Sequence, residues 1–319
     1  MTTIAPAEAN GTAVAWPILQ ERARAYAEAA RAPATLRAYA ADWRAFTAWC
    51  AAHSVAALPA SPQTVALFLA DLPGRPATLR RKLAAIAVMH RAAGHESPTA
   101  HGVVRATLAG ICRERGVAPR PKTALLFGDL RSALATCSDR CIDLRDRALL
   151  LIGFAGALRR SELVGLDVGD VRFESEGVVL RLRRSKTNQE GVLEEVAVLY
   201  GSDPHTCPVR ALQTWLATSG LVSGPLFRAV DRAGRIGVGR LTARIVGERL
   251  KKIGERSGLD PQSYAAHSLR SGFATSAARA NKSEAAIMRQ GRWKSIPVAR
   301  RYIRAGSRWH DHAGAGIGL

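Results

Sequence analysis

Residues 291–304 read GRWKSIPVARRYIR, a segment in which a single tyrosine lies among several basic residues. Trp293 and Tyr302 are nine residues apart, so at about 100° per residue they would point to opposite sides of one helix. Pro297 removes this conflict, because proline is favoured in the first turn of a helix. The sequence therefore predicts that a helix begins at Ser295 or Ile296 and that Trp293 lies in the preceding turn. Considered alone, a tyrosine at this position is typical of a half-buried core aromatic.

Three other segments of the C-terminal half carry residues suited to phosphate chemistry. GALRRSELVGL contains Arg159 and Glu162, AAHSLRSGFATSAA places His267 and Arg270 on one face of a predicted helix, and SKTNQEG places Lys186 after a predicted strand. Each alone fits a simpler interpretation: a surface ion pair, an isolated helix-face pair and a solvated hairpin lysine. Together with Tyr302 they supply a nucleophile, cations and an acid, which DNA cleavage without a metal requires.

The order and spacing of these segments resemble the tyrosine recombinase (phage integrase) family. The family signature is Arg, Lys, His-x-x-Arg, His or Trp, and Tyr, with nine residues from the last His or Trp to Tyr. Here LRRSEL is followed by the hairpin lysine and then by HSLR. Counted from His267, Trp293 follows after 26 residues and Tyr302 after 35 residues. The resemblance covers the whole C-terminal unit, and TLRAYAADWRAFTAWC is similar to the first helix of the family's core-binding domain.

The resemblance implies a role for each catalytic residue. Tyr302 would attack the scissile phosphate, giving a 3′-phosphotyrosyl link and a free 5′-hydroxyl. Arg159 and Arg270 would bind the non-bridging oxygens, since a planar guanidinium donates bidentate hydrogen bonds. Lys186 would protonate the leaving 5′-oxygen, and His267 would assist proton transfer with Tyr302.

Two further residues have implied supporting roles, and two positions differ from the family pattern. Trp293 would donate its indole N–H to the phosphate, where most members have His and a Cre-like minority has Trp. Glu162 would hold the active-site groups in place. Arg160 follows Arg159 where an aliphatic residue is usual, and the SEL register favours Arg159 as the active-site arginine. Arg292 replaces a common glycine, which predicts an altered local turn or an added phosphate contact.

The net charge of +20, from 46 basic and 26 acidic residues, predicts a polyanionic partner. Coding bias explains the excess of arginine over lysine, 39 against 7, but it does not explain the shortage of acids. Residues 1–120 carry +7 and residues 121–319 carry +13, so we expect both parts to contact double-stranded DNA, in preference to a membrane surface. The candidate DNA contacts outside the catalytic set are Arg80, Arg81, Lys82, Arg292, Arg300 and Arg301.

The periodicity of the chain predicts two folded parts. Residues 1–16 are expected to form a flexible tail, 17–116 a helical domain, 117–122 a linker and 123–319 an α+β domain. The family resemblance implies that the helical domain is a core-binding domain (SAM-like) and that the α+β domain is a tyrosine-recombinase catalytic domain. The predicted fold class is mainly α with a small antiparallel β-sheet. Predicted strands of the catalytic domain lie at 171–174, 178–183 and 192–199, and predicted helices lie at 127–137, 143–155, 208–218, 240–257, 268–279, 283–290 and 297–304.

Several protein classes are disfavoured by the sequence. The longest apolar run, 148–158, has 11 residues, whereas a membrane span needs roughly 18 to 20. The N-terminus lacks the features of a secretory signal, so the expected location is the cytoplasm, in association with the nucleoid. Five cysteines at irregular spacing do not form a disulfide framework. Cys137, Cys141, His205 and Cys207 lack the usual spacing of a metal site.

No cofactor is expected, neither ATP nor a metal. The chain contains no GxxxxGK[ST] motif, and a phosphotyrosyl ester would retain the bond energy needed for rejoining. The predicted function is a site-specific DNA recombinase or integrase. It would clamp the duplex between its two domains and work as a homo-tetramer on paired sites, and as a monomer or dimer off DNA. The alternatives are a DNA-binding protein of the same fold without cleavage, and a topoisomerase-like enzyme that relaxes DNA as a single protomer.

Overall fold

In a computed structural model of the 319-residue chain, the structure describes residues 16–116, 122–183, 193–310, 312 and 314–315. The chain divides into two compact units, Met1–Arg120 and Pro121–Leu319. This division falls inside the predicted linker 117–122, most of which lies outside the described residues. The predicted tail lies outside them too, except for Trp16, with which the first helix begins.

The first unit is helical in its described part. Its helices are α1 (Trp16–Ala29), α2 (Pro33–Ala52), α3 (Pro62–Asp71), α4 (Pro76–Ala92) and α5 (Gly102–Arg115), with a 3-10 turn at Pro98–Ala100. Proline in the first turn starts α2, α3 and α4, and Ser61 caps α3 by accepting a hydrogen bond from the Thr64 N–H. The apolar faces of α2, α3, α4 and α5 meet in one core, around Phe46, Phe68 and Leu79.

The buried imidazole of His90 joins two segments of this core. Its Nε2 accepts a hydrogen bond from the Ala60 backbone N–H at 2.9 Å, so Nδ1 carries the proton and donates to the Ile86 carbonyl, also at 2.9 Å. Both polar atoms of the ring are therefore satisfied inside the core, as buried polar groups generally are.

The second unit combines helices with small antiparallel sheets, which confirms the predicted fold class. Its helices are α6 (Phe127–Ala135), α7 (Cys141–Ala155), α8 (Arg160–Gly165), α9 (Pro208–Ser219), α10 (Ala243–Arg256), α11 (His267–Arg279), α12 (Glu284–Gly291) and α13 (Ile296–Gly306). Its strands are β1 (Val171–Phe173), β2 (Gly177–Leu182), β3 (Glu194–Leu199), β4 (Arg228–Val230) and β5 (Ile236–Arg240). 3-10 turns lie at Val168–Asp170 and Pro204–Thr206. Within the described residues, no helix is both long and apolar enough to span a membrane.

Helix α7 is the central element of this unit and is buried along most of its length. It packs against α9, α10 and α11. Its three buried charges are paired: Arg145 donates to Asp146 at 2.6 Å, Asp146 also accepts from Arg249 of α10 at 2.5 Å, and Asp143 pairs with Arg256 at 3.2 Å. A buried charge is tolerated only when it is paired in this way.

The three-stranded sheet has the order β1-β2-β3, with Val179 opposite Ala197. Alternate residues of β3, Val196 and Val198, face the core. A second, two-stranded sheet joins β4 and β5. It was not predicted, and the helix expected over 240–257 begins only at Ala243, because β5 continues to Arg240.

Helices α11, α12 and α13 share a small apolar cluster of their own, separate from the main core. Glycine also lies at two close contacts of α11, one with α13 and one with Leu125, in the segment before α6. A β-carbon at Gly306 of α13 would lie 2.3 Å from the Thr275 carbonyl oxygen of α11, and one at Gly272 would lie 1.8 Å from the Leu125 carbonyl oxygen. Both distances are far below van der Waals contact, so these two glycines fix where α11 and α13 lie.

Candidate active site

Tyr302 lies on α13, which begins as predicted. Ser295 is the residue before the helix and Pro297 occupies its first turn. The Tyr302 side chain is half-buried, and its hydroxyl lies 2.9 Å from Nε2 of His267. Two residues separated by 35 positions in the sequence are thus in direct hydrogen-bond contact.

His267 is the first residue of α11, and the rest of that helix positions its ring beside Tyr302. Burial lowers the pKa of His267, and the nearby positive charges of Arg270 and Arg159 lower it further. The imidazole is therefore neutral at pH 7, and a neutral imidazole nitrogen can accept the tyrosine proton. The arrangement has the geometry of a nucleophile paired with a base.

Arg270, the third predicted site residue in this part of the structure, is almost completely buried. Its Nη1 donates to the Ala157 carbonyl at 2.5 Å, and its guanidinium stacks over the Trp293 ring at 4.2 Å. Burial lowers the pKa of Arg270 to about 9, and the positive charges of Arg159 and Arg292 contribute. A guanidinium enclosed by like charges is stabilised by an anion placed beside it.

Arg159 and Glu162 form a buried pair at the start of α8. Arg159 Nη1 donates to Glu162 Oε1 at 2.5 Å, and the Arg159 backbone N–H donates to Oε2 at 2.8 Å. The Glu162 side chain is fully buried, so the simpler interpretation of a surface ion pair is wrong. Burial opposes the ionisation of Glu162, but the charge of Arg292 and the hydrogen bonds from Arg159 outweigh it and lower its pKa. Arg160 is exposed.

Trp293 lies in the turn between α12 and α13, as predicted. Arg292, which ends α12, has φ +54°, and this left-handed residue turns the chain so that the Trp293 N–H donates to the Met288 carbonyl. A β-carbon at Gly291 would lie 1.7 Å from the indole ring, so the ring lies directly on the backbone there. The Trp293 and Tyr302 ring centroids are 6.1 Å apart.

The structure thus brings together Arg159, Glu162, His267, Arg270, Trp293 and Tyr302. Lys186 lies outside the described residues, and its assignment rests on the sequence. Arg292 adopts a left-handed backbone, the conformation that glycine favours, and its side chain points inward to Glu162 at 2.7 Å.

The remaining predicted DNA contacts lie on two helices. On α4, Arg81 and Lys82 both pair with the buried carboxylate of Asp42, at 2.8 and 3.4 Å. Arg80 approaches the sulfur of Cys112 at 3.5 Å. On α13, Arg300 pairs with Glu284 at 2.9 Å, and Arg301 is exposed. Their roles on DNA remain predictions.

The cysteine and histidine pattern has a structural explanation. The five cysteines are free thiols, and Cys207 Sγ accepts hydrogen bonds from the backbone N–H groups of Gly201 and Arg210. Burial, followed by the charge of Asp143, raises the pKa of Cys137 to about 11. In the part of the chain described by the structure, no three His, Cys, Asp or Glu side chains cluster in the manner of a metal site.

Three residues of the site were missed by sequence reasoning. Gln290 Nε2 donates to the Ala155 and Ala197 carbonyls, each at 2.9 Å, and ties α12 to α7 and β3. Ala157 has φ +45° and presents its carbonyl to Arg270. Glu194 Oε2 lies 3.6 Å from Arg292 Nε. No local pattern marks these residues, because each contact joins segments about 90 or more positions apart.

Comparison with known proteins places these observations in context. Residues 124–308 match the model of the family described as the phage integrase family. The chain is 40% identical over 302 residues to an integrase/recombinase xerD homolog of Selenomonas ruminantium, covering 92% of this chain and 88% of the relative. It is 28% identical over 284 residues to recombinase cre of Escherichia phage P1, covering 82% and 81%.

Solved structures share the fold at lower identity. A lambda integrase dimer bound to a COC′ core site superposes with a TM-score of 0.58 at 18% identity, over 92% of this chain and 96% of that one. The XerH site-specific recombinase bound to a palindromic difH substrate, in its post-cleavage complex, gives a TM-score of 0.57 at 18% identity, over 78% and 70%.

Proposed function

This chain belongs to the phage integrase family and is a site-specific tyrosine recombinase, and we propose that it cuts and rejoins duplex DNA through a covalent link to Tyr302. The observation that carries this assignment is the 2.9 Å contact between the Tyr302 hydroxyl and His267 Nε2, beside the clustered guanidiniums of Arg159 and Arg270. A nucleophile, a base and anion-binding donors thus meet in one place.

In the first step, the Tyr302 oxygen attacks the scissile phosphorus while the tyrosine proton passes to His267. The bond from phosphorus to the 5′-oxygen breaks, and that oxygen leaves as a 5′-hydroxyl after protonation by Lys186. The product is a 3′-phosphotyrosyl ester. Rejoining is the reverse: a 5′-hydroxyl attacks the ester, gives its proton to Lys186, and the tyrosine oxygen leaves and recovers a proton from His267.

The surrounding charges make this step feasible at neutral pH. An ordinary tyrosine has a pKa near 10, so only about one in a thousand is ionised at pH 7, a handicap of about 4 kcal/mol. A base in hydrogen-bond contact removes the proton as attack proceeds. Arg159 and Arg270 bind the non-bridging oxygens and stabilise the charge of the phosphorane. Trp293 packs against Arg270 and keeps its guanidinium in place.

Neither ATP nor a metal takes part in the proposed reaction, because the phosphotyrosyl ester conserves the energy of the broken bond. Duplex DNA is the substrate, in keeping with the net charge of +20 and with relatives solved on DNA. Strand exchange between two DNA sites needs four cleavages, so we propose a homo-tetramer on paired sites and a monomer or dimer off DNA.

The direct test is to trap the covalent adduct on nicked DNA and sequence the attached strand. Wild-type protein should form the adduct in the presence of EDTA, Tyr302→Phe should form none, and Tyr200→Phe, which makes the same chemical change on an exposed tyrosine, should behave as wild type. An adduct with Tyr302→Phe would remove Tyr302 as the nucleophile, and a strict requirement for Mg²⁺ would indicate a metal-dependent nuclease or transposase.

The two alternatives give different outcomes in the same assay. A DNA-binding protein without cleavage would bind the duplex but form no adduct. A topoisomerase-like enzyme would form the adduct and relax supercoiled DNA as a single protomer, without joining two sites. Recombination between two DNA sites, dependent on protein concentration, is the outcome expected here.

A further inference from the structure

Arg292 holds a backbone conformation that its residue type disfavours. Its φ of +54° lies in the left-handed region, where a β-carbon is strained and glycine is preferred. A non-glycine residue persists there when the surrounding structure favours it strongly enough. The side chain of Arg292 is therefore expected to make contacts that compensate for this strain.

The guanidinium of Arg292 is used almost completely by protein groups. Nη2 donates to Glu162 Oε2 at 2.7 Å, and Nη1 donates to the carbonyls of Gly156 at 3.3 Å and Gln290 at 3.1 Å. Nε faces the Glu194 carboxylate at 3.6 Å. The guanidinium thus makes three hydrogen bonds to protein groups, and the side chain is only 11% exposed.

The partners of Arg292 belong to separate segments of the site. Glu162 holds Arg159 on α8, and Gly156 precedes Ala157, whose carbonyl binds Arg270. Arg292 itself immediately precedes Trp293. The Arg292 side chain thereby links the groups that hold Arg159 and Arg270 to the turn that precedes α13.

Glu194 adds a second carboxylate to this arrangement. It is the first residue of β3, and its Oε2 and Arg292 Nε are both buried without a hydrogen-bond partner although they face each other. At 3.6 Å the two opposite charges attract without a hydrogen bond. Arg292 therefore pairs with two carboxylates, Glu162 through Nη2 and Glu194 through Nε.

We propose that Arg292 is a positioning residue of the cleavage reaction and not a DNA contact. It holds the Glu162–Arg159 pair and the turn of Trp293 in fixed relation, so that Arg159, Arg270 and Tyr302 converge on one phosphate. The inference rests on the proposed function, because it assigns Arg292 a part in that same reaction.

The test compares Arg292→Gln, Arg292→Gly and Arg292→Lys with the wild type. The substrate is a synthetic nicked duplex that carries the sequence recovered from trapped adducts. Adduct formation is measured in single turnover, affinity for the same duplex is measured as a function of salt, and thermal unfolding checks the fold. Arg292→Gly relieves the left-handed strain, so it keeps the test valid even where Arg292→Gln unfolds.

Arg292→Gln and Arg292→Gly should form the adduct about ten to a hundred times more slowly than wild type, with affinity unchanged within about twofold. Arg292→Lys, which keeps the positive charge but lacks the planar guanidinium, should recover part of the rate. In a Glu162→Gln background, Arg292→Gln should slow the reaction by a smaller factor than it does alone, since both residues act through the same contact. Arg289→Gln, which removes a positive charge from the exposed side of α12, should leave the rate unchanged.

Three results would overturn the inference. The first is adduct formation by Arg292→Gln at the wild-type rate. The second is weaker DNA binding with a salt slope reduced by about one, which identifies a phosphate contact. The third is loss of the folded state in both Arg292→Gln and Arg292→Gly, which identifies a purely structural residue. A wild-type protein that forms no adduct would instead overturn the proposed function, and this inference with it.

Discussion

Arg270 is a buried cation with two other guanidiniums nearby. Its role in the proposed reaction should therefore depend on the exact shape of its side chain. Stacking on Trp293 and hydrogen bonding to Ala157 both depend on a planar fork. A lysine keeps the charge but reproduces neither contact.

Arg270→Lys should therefore reduce the single-turnover rate of adduct formation by about a hundredfold or more. Arg279→Lys, the same change at the exposed end of the same helix, is the matched control and should have no effect. A rate within a few fold of wild type for Arg270→Lys would show that charge alone suffices at this position.

His267 predicts the pH dependence of cleavage. Its pKa lies below the ordinary value of about 6.5, because burial and the charges of Arg270 and Arg159 disfavour the imidazolium. The base must be neutral to accept the tyrosine proton. The rate at limiting DNA should rise with pH through the lowered pKa and reach a plateau before pH 7. His267→Gln should lose this rise, and a rise centred above pH 7 would contradict the assignment.

The same shift affects folding stability. Because the pKa of His267 is lower in the folded state than in the unfolded state, the unfolded state binds the extra proton first as pH falls. This contribution to stability is therefore intact above about pH 6.5 and is lost between that pH and the lowered pKa.

At the residue scale the sequence was a good guide to the site but not to its supports. Tyr302 and His267 were placed together by the family signature, and the structure puts them in contact. The left-handed Arg292, the carbonyl of Ala157 and the side chain of Gln290 were not foreseen. Their contacts depend on how distant segments meet, and no local spacing encodes that. Lys186 remains a prediction.

At the scale of elements, the close approach of α11 to the segment before α6 depends on Gly272. A β-carbon there would lie 1.8 Å from the Leu125 carbonyl oxygen, so the two backbones must separate if it is added.

Gly272→Ala should destabilise the protein by about 3 kcal/mol, as overpacking in a core does. Gly128→Ala, on α6 of the same unit, has open space around the added carbon and should be neutral or stabilise by up to about 1 kcal/mol. Thermal unfolding of both variants measures the difference. Equal melting temperatures would mean that the contact at Gly272 relaxes without cost.

Secondary structure was predictable where periodicity was strong and less so where glycine interrupts it. The predicted helices 143–155 and 268–279 correspond closely to α7 and α11. Strand β5 has the sequence IGVGR, in which two glycines and an arginine hide the pattern of a strand, and its pairing with β4 is what makes it extended. The hairpin was missed for this reason.

At the scale of the whole molecule, net charge should control binding to DNA. Both parts of the chain are strongly basic, with +7 before residue 121 and +13 after it. If binding neutralises six to ten phosphates, affinity should fall by about 10³ to 10⁵ between 50 and 200 mM salt. Fluorescence anisotropy on a non-specific duplex measures this slope. A loss smaller than about tenfold would mean that few phosphates are contacted.

The separate apolar cluster of α11, α12 and α13 has a consequence for how Tyr302, the proposed nucleophile, is held. Its buried members are mostly alanines, with Ile287 and Trp293 as the large side chains, so opening it exposes much less apolar surface than unfolding the core around α7. Backbone amides of α13 should therefore exchange with deuterium through an opening of lower free energy than those of α7. Two variants with the same melting temperature can thus differ in the fraction of time during which Tyr302 is poised beside His267.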